Sequence, residues 1–209
     1  MSTKFASADL TAGQLNAIVK KLGGHDGAIK FLQGKLSVSQ PSSNWREQDG
    51  VIYLSVTSDG TTGPQWIERL EGKGFHLIDY TKSVLRSPDF KPTKGVTTGI
   101  AILKGVLFEG LDRTTSNIRD MATQRKLTTP NAEVACLIRE EFSDEEIEAM
   151  DLIWIATMHE PIKCSGGDHG LLIVHRNGRG RGLHACQGGL DYGWYREYGF
   201  AFVVSENLR

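Results

Sequence analysis

Ten of the chain's 24 glycines fall between Gly166 and Gly199, interleaved with His, Arg, Asn, Asp, Tyr and Trp. Glycine in a helix interior costs about 1 kcal/mol relative to alanine, so such a stretch reads as short strands and turns. Leu171 to His175 and Gly199 to Ser205 are the expected strands, and Asn177-Gly178 between them is a strong hairpin-turn signal. Upstream, Leu152 to Thr157 (Leu-Ile-Trp-Ile-Ala-Thr) is the clearest strand in the chain. Alternation puts Phe200, Phe202 and Val204 on one face of the closing strand and Ala201 and Val203 on the other. The strands 152–157 and 201–204 are expected to be buried neighbours.

The N-terminal part is patterned differently. Thr11 and Gln14 have capping-box spacing, Leu15, Ile18, Val19 and Leu22 line one helical face, and Gly23-Gly24 stops the helix. A second short helix is predicted over Ala28 to Gln33, and the polar stretch Ser37 to Asp49 reads as a linker. Val51 to Val56 alternates as a strand, followed by a turn and a helix carrying Trp66, Ile67 and Leu70, with Thr62 and Gln65 in capping-box spacing. That turn is not a nucleotide loop: it lacks a terminal Lys-Ser/Thr, and Pro64 removes an N–H donor. Phe75 to Tyr80 reads as a strand, Ile100 to Phe108 as helix or buried strand, and Asp112 to Lys126 as a helix. Pro130 at a first helical position opens another helix through Glu141, and Ser143 with Glu146 caps a short acidic one to Met150. The pattern predicts an α+β protein: a small helical unit over residues 1–45, then a mixed domain over 50–209 ending in a Gly-rich β region, with 159–209 displaying the ligand.

A chain of 209 residues buries a core without metal or disulfide staples, so no cofactor is expected. The formal charge of -1 gives no whole-chain drive towards nucleic acid or membrane. Met1 to Leu10 lacks a secretory pattern, and no apolar run approaches the roughly 18 residues that span a bilayer, which predicts a cytoplasmic protein without a membrane partner. Cys136, Cys164 and Cys186 fit reduced thiols, Cys136 on an apolar helix face.

Three chemistries compete for the C-terminal region. His159, Cys164, His169 and His184 are the candidate zinc ligands, although no pair has the spacing of a rigid ligand turn. A small hydrolase or metal-dependent enzyme would use His159, Cys164 and His184, with Cys186 a second candidate thiol. The favoured alternative is a binding surface for an unknown protein or small molecule. Tyr, Trp, Arg, His, Asn and Gly are the residue types of binding loops, and the expected contact set is Arg176, Arg179, Arg181, His184, Tyr192, Trp194, Tyr195, Arg196 and Tyr198. Leu172 and Trp194 are expected to pack beneath it. A separate possibility, outside that region, places nucleic acid on the N-terminal helices through Lys20, Lys21, Lys30 and Lys35; their bland reading as a packed hairpin is preferred.

The pattern of Leu171-Leu172, Asn177-Gly178-Arg179, Leu183, Asp191, Trp194 and Gly199-Phe200-Ala201-Phe202 resembles the C-terminal variable region of proteins diversified by retroelements. The chain is also similar to anonymous multi-copy bacterial proteins, notably around Gly13-Gln14-Leu15-Asn16. The first resemblance implies a C-type-lectin-like fold for the C-terminal region and a ligand-binding surface varied by adenine-directed mutation.

Overall fold

The computed structural model describes residues 11–36, 44–163, 167, 169–176 and 181–205. Contacts divide the chain into two compact units, Met1–Ser43 and Asn44–Arg209. In the first, α1 (Ala12–Lys21) carries the expected capping box: Gln14 N–H donates to the Thr11 hydroxyl, and Gln14 Oε1 accepts from Thr11 N–H. Gly23 and Gly24, both at positive φ, reverse the chain, and α2 (Gly24–Leu32) starts at once, four residues before the expected Ala28.

The second unit is α+β, a mixed sheet covered on both faces. In chain order its elements are β1 (Trp45–Gln48), β2 (Val51–Asp59), α3 (Gly63–Gly72), β3 (His76–Leu77), α4 (Asp79–Leu85) and β4 (Lys94–Lys104). They continue with α5 (Thr115–Gln124), β5 (Leu127–Thr128), α6 (Glu133–Glu141), α7 (Asp144–Ala149), β6 (Trp154–Thr157), β7 (Ile162–Lys163), β8 (His169–His175), β9 (Gly182–Cys186) and β10 (Tyr198–Val204). The strands lie in the order β1-β2-β4-β10-β6-β8-β9-β3, with β5 beside β10 and β7 beside β8. The expected adjacency of the 152–157 and 201–204 strands is present, as a parallel pair.

The period-2 side-chain alternation of each strand divides the core. On one face Ile52, Leu54, Val56, Ile100, Ile102, Ile155, Leu172, Val174, Leu183 and Ala201 meet Trp66, Ile67 and Leu70 of α3, Val84 and Leu85 of α4, and the buried face of α6, including Cys136. On the other, Val51, Ala101, Leu103, Ala156, Leu171, Ile173, Phe200 and Phe202 meet Ile118 and Ala122 of α5, Phe108 and Trp194. Phe200 and Phe202 thus share one face and Ala201 takes the other, as alternation requires.

Several boundaries differ from the sequence expectation. Only His76–Leu77 of the expected 75–80 strand is extended; Asp79 opens α4, whose Thr81, Val84 and Leu85 are buried at helical spacing. Ile100 to Phe108 resolves as the buried end of β4 followed by a 3₁₀ turn, Gly105–Leu107. Pro130 does not start a helix. Leu127–Thr128 is drawn into the sheet against Val203 and Val204, and Asn131 Oδ1 accepts from Glu133 N–H where α6 begins. Among the described residues, no helix is long and apolar enough to cross a membrane.

Candidate functional site

The segment from Gln187 to Glu197, between β9 and β10, folds across the second sheet face against the start of α5. A helix begins with N–H groups that have no partner inside it. In α5, Thr115 N–H donates to Tyr192 O at 3.2 Å and Ser116 N–H to Leu190 O at 3.0 Å, so the loop's carbonyls satisfy the helix end. The Thr114 hydroxyl accepts from Asn117 N–H and completes the cap.

Trp194 is the loop's internal anchor. It is buried, its Nε1–H donates to Thr115 Oγ1 at 2.9 Å, its backbone N–H donates to Arg113 O at 2.8 Å, and its ring packs edge-on to Phe200 at 5.6 Å. Arg113 clamps the base of the loop by donating to three carbonyls, those of Gly105 (3.0 Å), Phe108 (3.1 Å) and Trp194 (3.2 Å). A Cβ on Gly105 would stand 2.6 Å from Arg196 O, so only glycine lets the chain after β4 pass beneath the loop.

Above this base the side chains face outward. Leu190, Tyr192 and Tyr195 are 64%, 41% and 69% exposed. Tyr192 stands edge-on to Trp194 at 4.7 Å, and Tyr195 lies 6.1 Å from Tyr198. Cys186, Gln187, Gly189, Leu190, Asp191 and Tyr192 line an open groove of about 530 Å³.

From Tyr198 a row of rings crosses the strands. Tyr198 and Trp154, directly paired on β10 and β6, stack at 5.6 Å with planes 6° apart. Trp154 stacks on its cross-strand partner His175 at 4.8 Å, His175 lies 4.0 Å from His184 on β9, and His184 lies 6.4 Å from His76 on β3. Gly182 leaves the space for this meeting, since its Cβ would come within 2.8 Å of His175 Nε2. His175 is buried, among the described residues neither of its ring nitrogens is hydrogen-bonded, and that burial, with His184 and Arg139 nearby, holds its pKa down at about 4. His184 is held below its ordinary value by burial and by His76.

Comparison with family models, curated proteins and solved structures finds no match to this chain. The geometry therefore stands alone.

Of the residues expected to form the contact set, the structure brings His184, Tyr192, Trp194, Tyr195 and Tyr198 together, with Trp194 beneath the others, and Arg196 is exposed on the same loop. Arg176 and Arg181 are elsewhere. Arg176 donates to Leu152 O at 2.8 Å and pairs with Glu148, while the Arg181 guanidinium lies over Phe75 on the opposite sheet face. Arg179 and the Asn177-Gly178 turn lie outside the described residues, although β8 and β9 on either side do pair antiparallel. Sequence reasoning passed over Arg113, Thr115, Trp154 and His76, and gave His175 no role. Only Trp154 carried a local signal, as the one aromatic in a short strand; the others matter through residues distant in the chain.

The proposed catalytic and metal ligands are differently placed. His159 is buried and both its ring nitrogens are engaged: Nδ1 is 2.7 Å from Glu160 O, and Nε2 accepts from Leu172 N–H at 2.9 Å. That pattern requires a neutral ring with its proton on Nδ1, and burial holds its pKa at about 4. Its role is to bridge the exit of β6 to β8. Burial pushes the Cys186 thiol up to about 12, the reverse of an activated nucleophile. Cys164 lies outside the described residues. Among the described residues no three His, Cys, Asp or Glu side chains are grouped to hold a metal ion.

Proposed function

We propose that the Gln187–Tyr198 loop and the neighbouring His184 form a recognition surface for a partner, and that the chain is a binding protein. The observation that carries this is the loop's two-layer construction. Its underside is tied down by Trp194, by Arg113 and by the first amides of α5, while Leu190, Tyr192, Tyr195 and Arg196 point outward. Aromatic side chains have few rotatable bonds, so a tethered loop presents contact area with little entropy left to lose on binding. Retroelement-driven diversification belongs to the same proposal, since a surface separated in this way from its supports accepts side-chain change without loss of fold.

Photo-crosslinking in the native cell tests it. A benzophenone amino acid at position 192 or 195 should give a discrete adduct, and the same group at Thr57, exposed on β2, should not. Equal labelling from all three positions, or none, would sink the proposal. Sequencing the locus across isolates tests diversification: substitutions should concentrate at adenine-bearing codons for outward residues and spare Trp194 and Arg113.

A further inference from the structure

At the far end of β10 from Tyr198, on the same sheet face, a second cavity of about 390 Å³ opens between the β1–β2 hairpin and the chain leaving α5. Its floor is apolar, made by Val51, Tyr53, Leu127 and Val204, and Arg46 and Arg125 stand at its walls. The Arg46 guanidinium lies 4.4 Å above the Tyr53 ring and donates to Gln48 Oε1 at 3.1 Å. Those contacts orient the plane and leave most of its five N–H donors unused.

What marks this cavity is two arginines at one apolar floor with no acid among its lining residues. Arg69, Arg119, Arg139 and Arg176 each pair with a carboxylate. Among the described residues, neither Arg46 nor Arg125 does, and no Asp or Glu lines the cavity. Two uncompensated guanidiniums therefore flank an apolar floor. A guanidinium binds a carboxylate through two parallel N–H···O bonds, and a concave apolar floor takes the hydrocarbon that the carboxylate carries.

We infer that this cavity is a binding site for a small carboxylate with an apolar body, of the medium-chain fatty acid class, with Arg46 and Arg125 holding the carboxylate and Val51, Tyr53 and Val204 covering the chain. The site is separate from the aromatic loop and does not depend on it.

Methyl NMR of the full chain, titrated with octanoate and separately with octanol, tests the inference. Octanoate should produce saturable shifts at the Val51 and Val204 methyls. In a variant carrying Arg46→Gln and Arg125→Gln, both on the exposed surface, its affinity should fall about tenfold or more, and octanol should bind the parent at least as weakly. Equal affinity for octanoate and octanol would reduce the cavity to an apolar groove and overturn the assignment. So would an unaffected double variant, or shifts confined to methyls outside the cavity, such as those of Leu15 and Ile18.

Discussion

Trp194 and Tyr195 are adjacent in sequence and opposite in role. Trp194 is buried with its indole N–H bonded to Thr115, whereas Tyr195 is 69% exposed. Truncating a buried aromatic removes its burial and leaves a cavity, so Trp194→Ala should cost about 3 to 5 kcal/mol, while Tyr195→Ala should stay within about 0.5 kcal/mol. Urea titration of both variants checks the pair, and similar losses would mean that the loop has no distinct inner layer. His159 gives a second expectation at this scale. Its folded pKa of about 4 lies below the ordinary 6.5, so between those values the unfolded chain takes up a proton that the folded chain refuses. The stabilisation is complete above about pH 6.5 and is lost as pH falls towards 4, by on the order of 3 kcal/mol if burial is maintained. His175, held down in the same direction, adds to the same window. Melting of the parent and of His159→Gln across that range should show a shallower pH slope in the variant. The packing of Trp194 was legible in the sequence. The roles of His159 and His175 were not, because burial and hydrogen bonding are supplied by strands far away in the chain.

Among the elements, those with local chemical signals were the legible ones. All three capping boxes, Thr11/Gln14, Thr62/Gln65 and Ser143/Glu146, open helices where their spacing put them. Alternation in Val51–Val56 and in Phe200–Val204 named the buried faces. Elements defined by pairing were legible only in part: β3 keeps two residues of the expected 75–80 strand, held through His76 and Leu77 against β9, and β9 itself sits in the glycine-rich stretch without a strand-like pattern. Gly182 is the hinge of that pairing. A Cβ there would stand 2.4 Å from the His76 carbonyl oxygen as well as against His175, and backbone cannot swing aside as a side chain can. Gly182→Ala should therefore destabilise by about 1 to 3 kcal/mol and free the β3 edge. Hydrogen exchange at the His76 amide, which donates to Arg181 O, reads this directly. Unchanged protection there would show that the two strands tolerate separation.

At the scale of the molecule, the α+β class and the break near residue 43 follow from where apolar residues are placed. Among the described residues the buried hydrophobic ones all belong to the second unit, while Leu15, Ile18, Val19, Ile29, Phe31 and Leu32 of the first are exposed. Residues 44–209 should accordingly melt within a few degrees of the full chain, as a domain with its own core does. A large loss on removing 1–43 would assign the first unit a share of that core. The order of strands in the sheet was not legible, because period-2 alternation specifies faces and leaves neighbours open. That order bears on how the protein is made. β10 lies between β4 and β6 at the middle of the sheet, yet among the described strands it is made after both of them. Until it arrives, β4 and β6 have no partner along those edges, and an open strand edge on a nascent chain is a template for mispairing with other chains. The sheet therefore closes only once β10 has been made, and the yield of soluble protein depends on how long the waiting edges are kept apart from their neighbours in the cell.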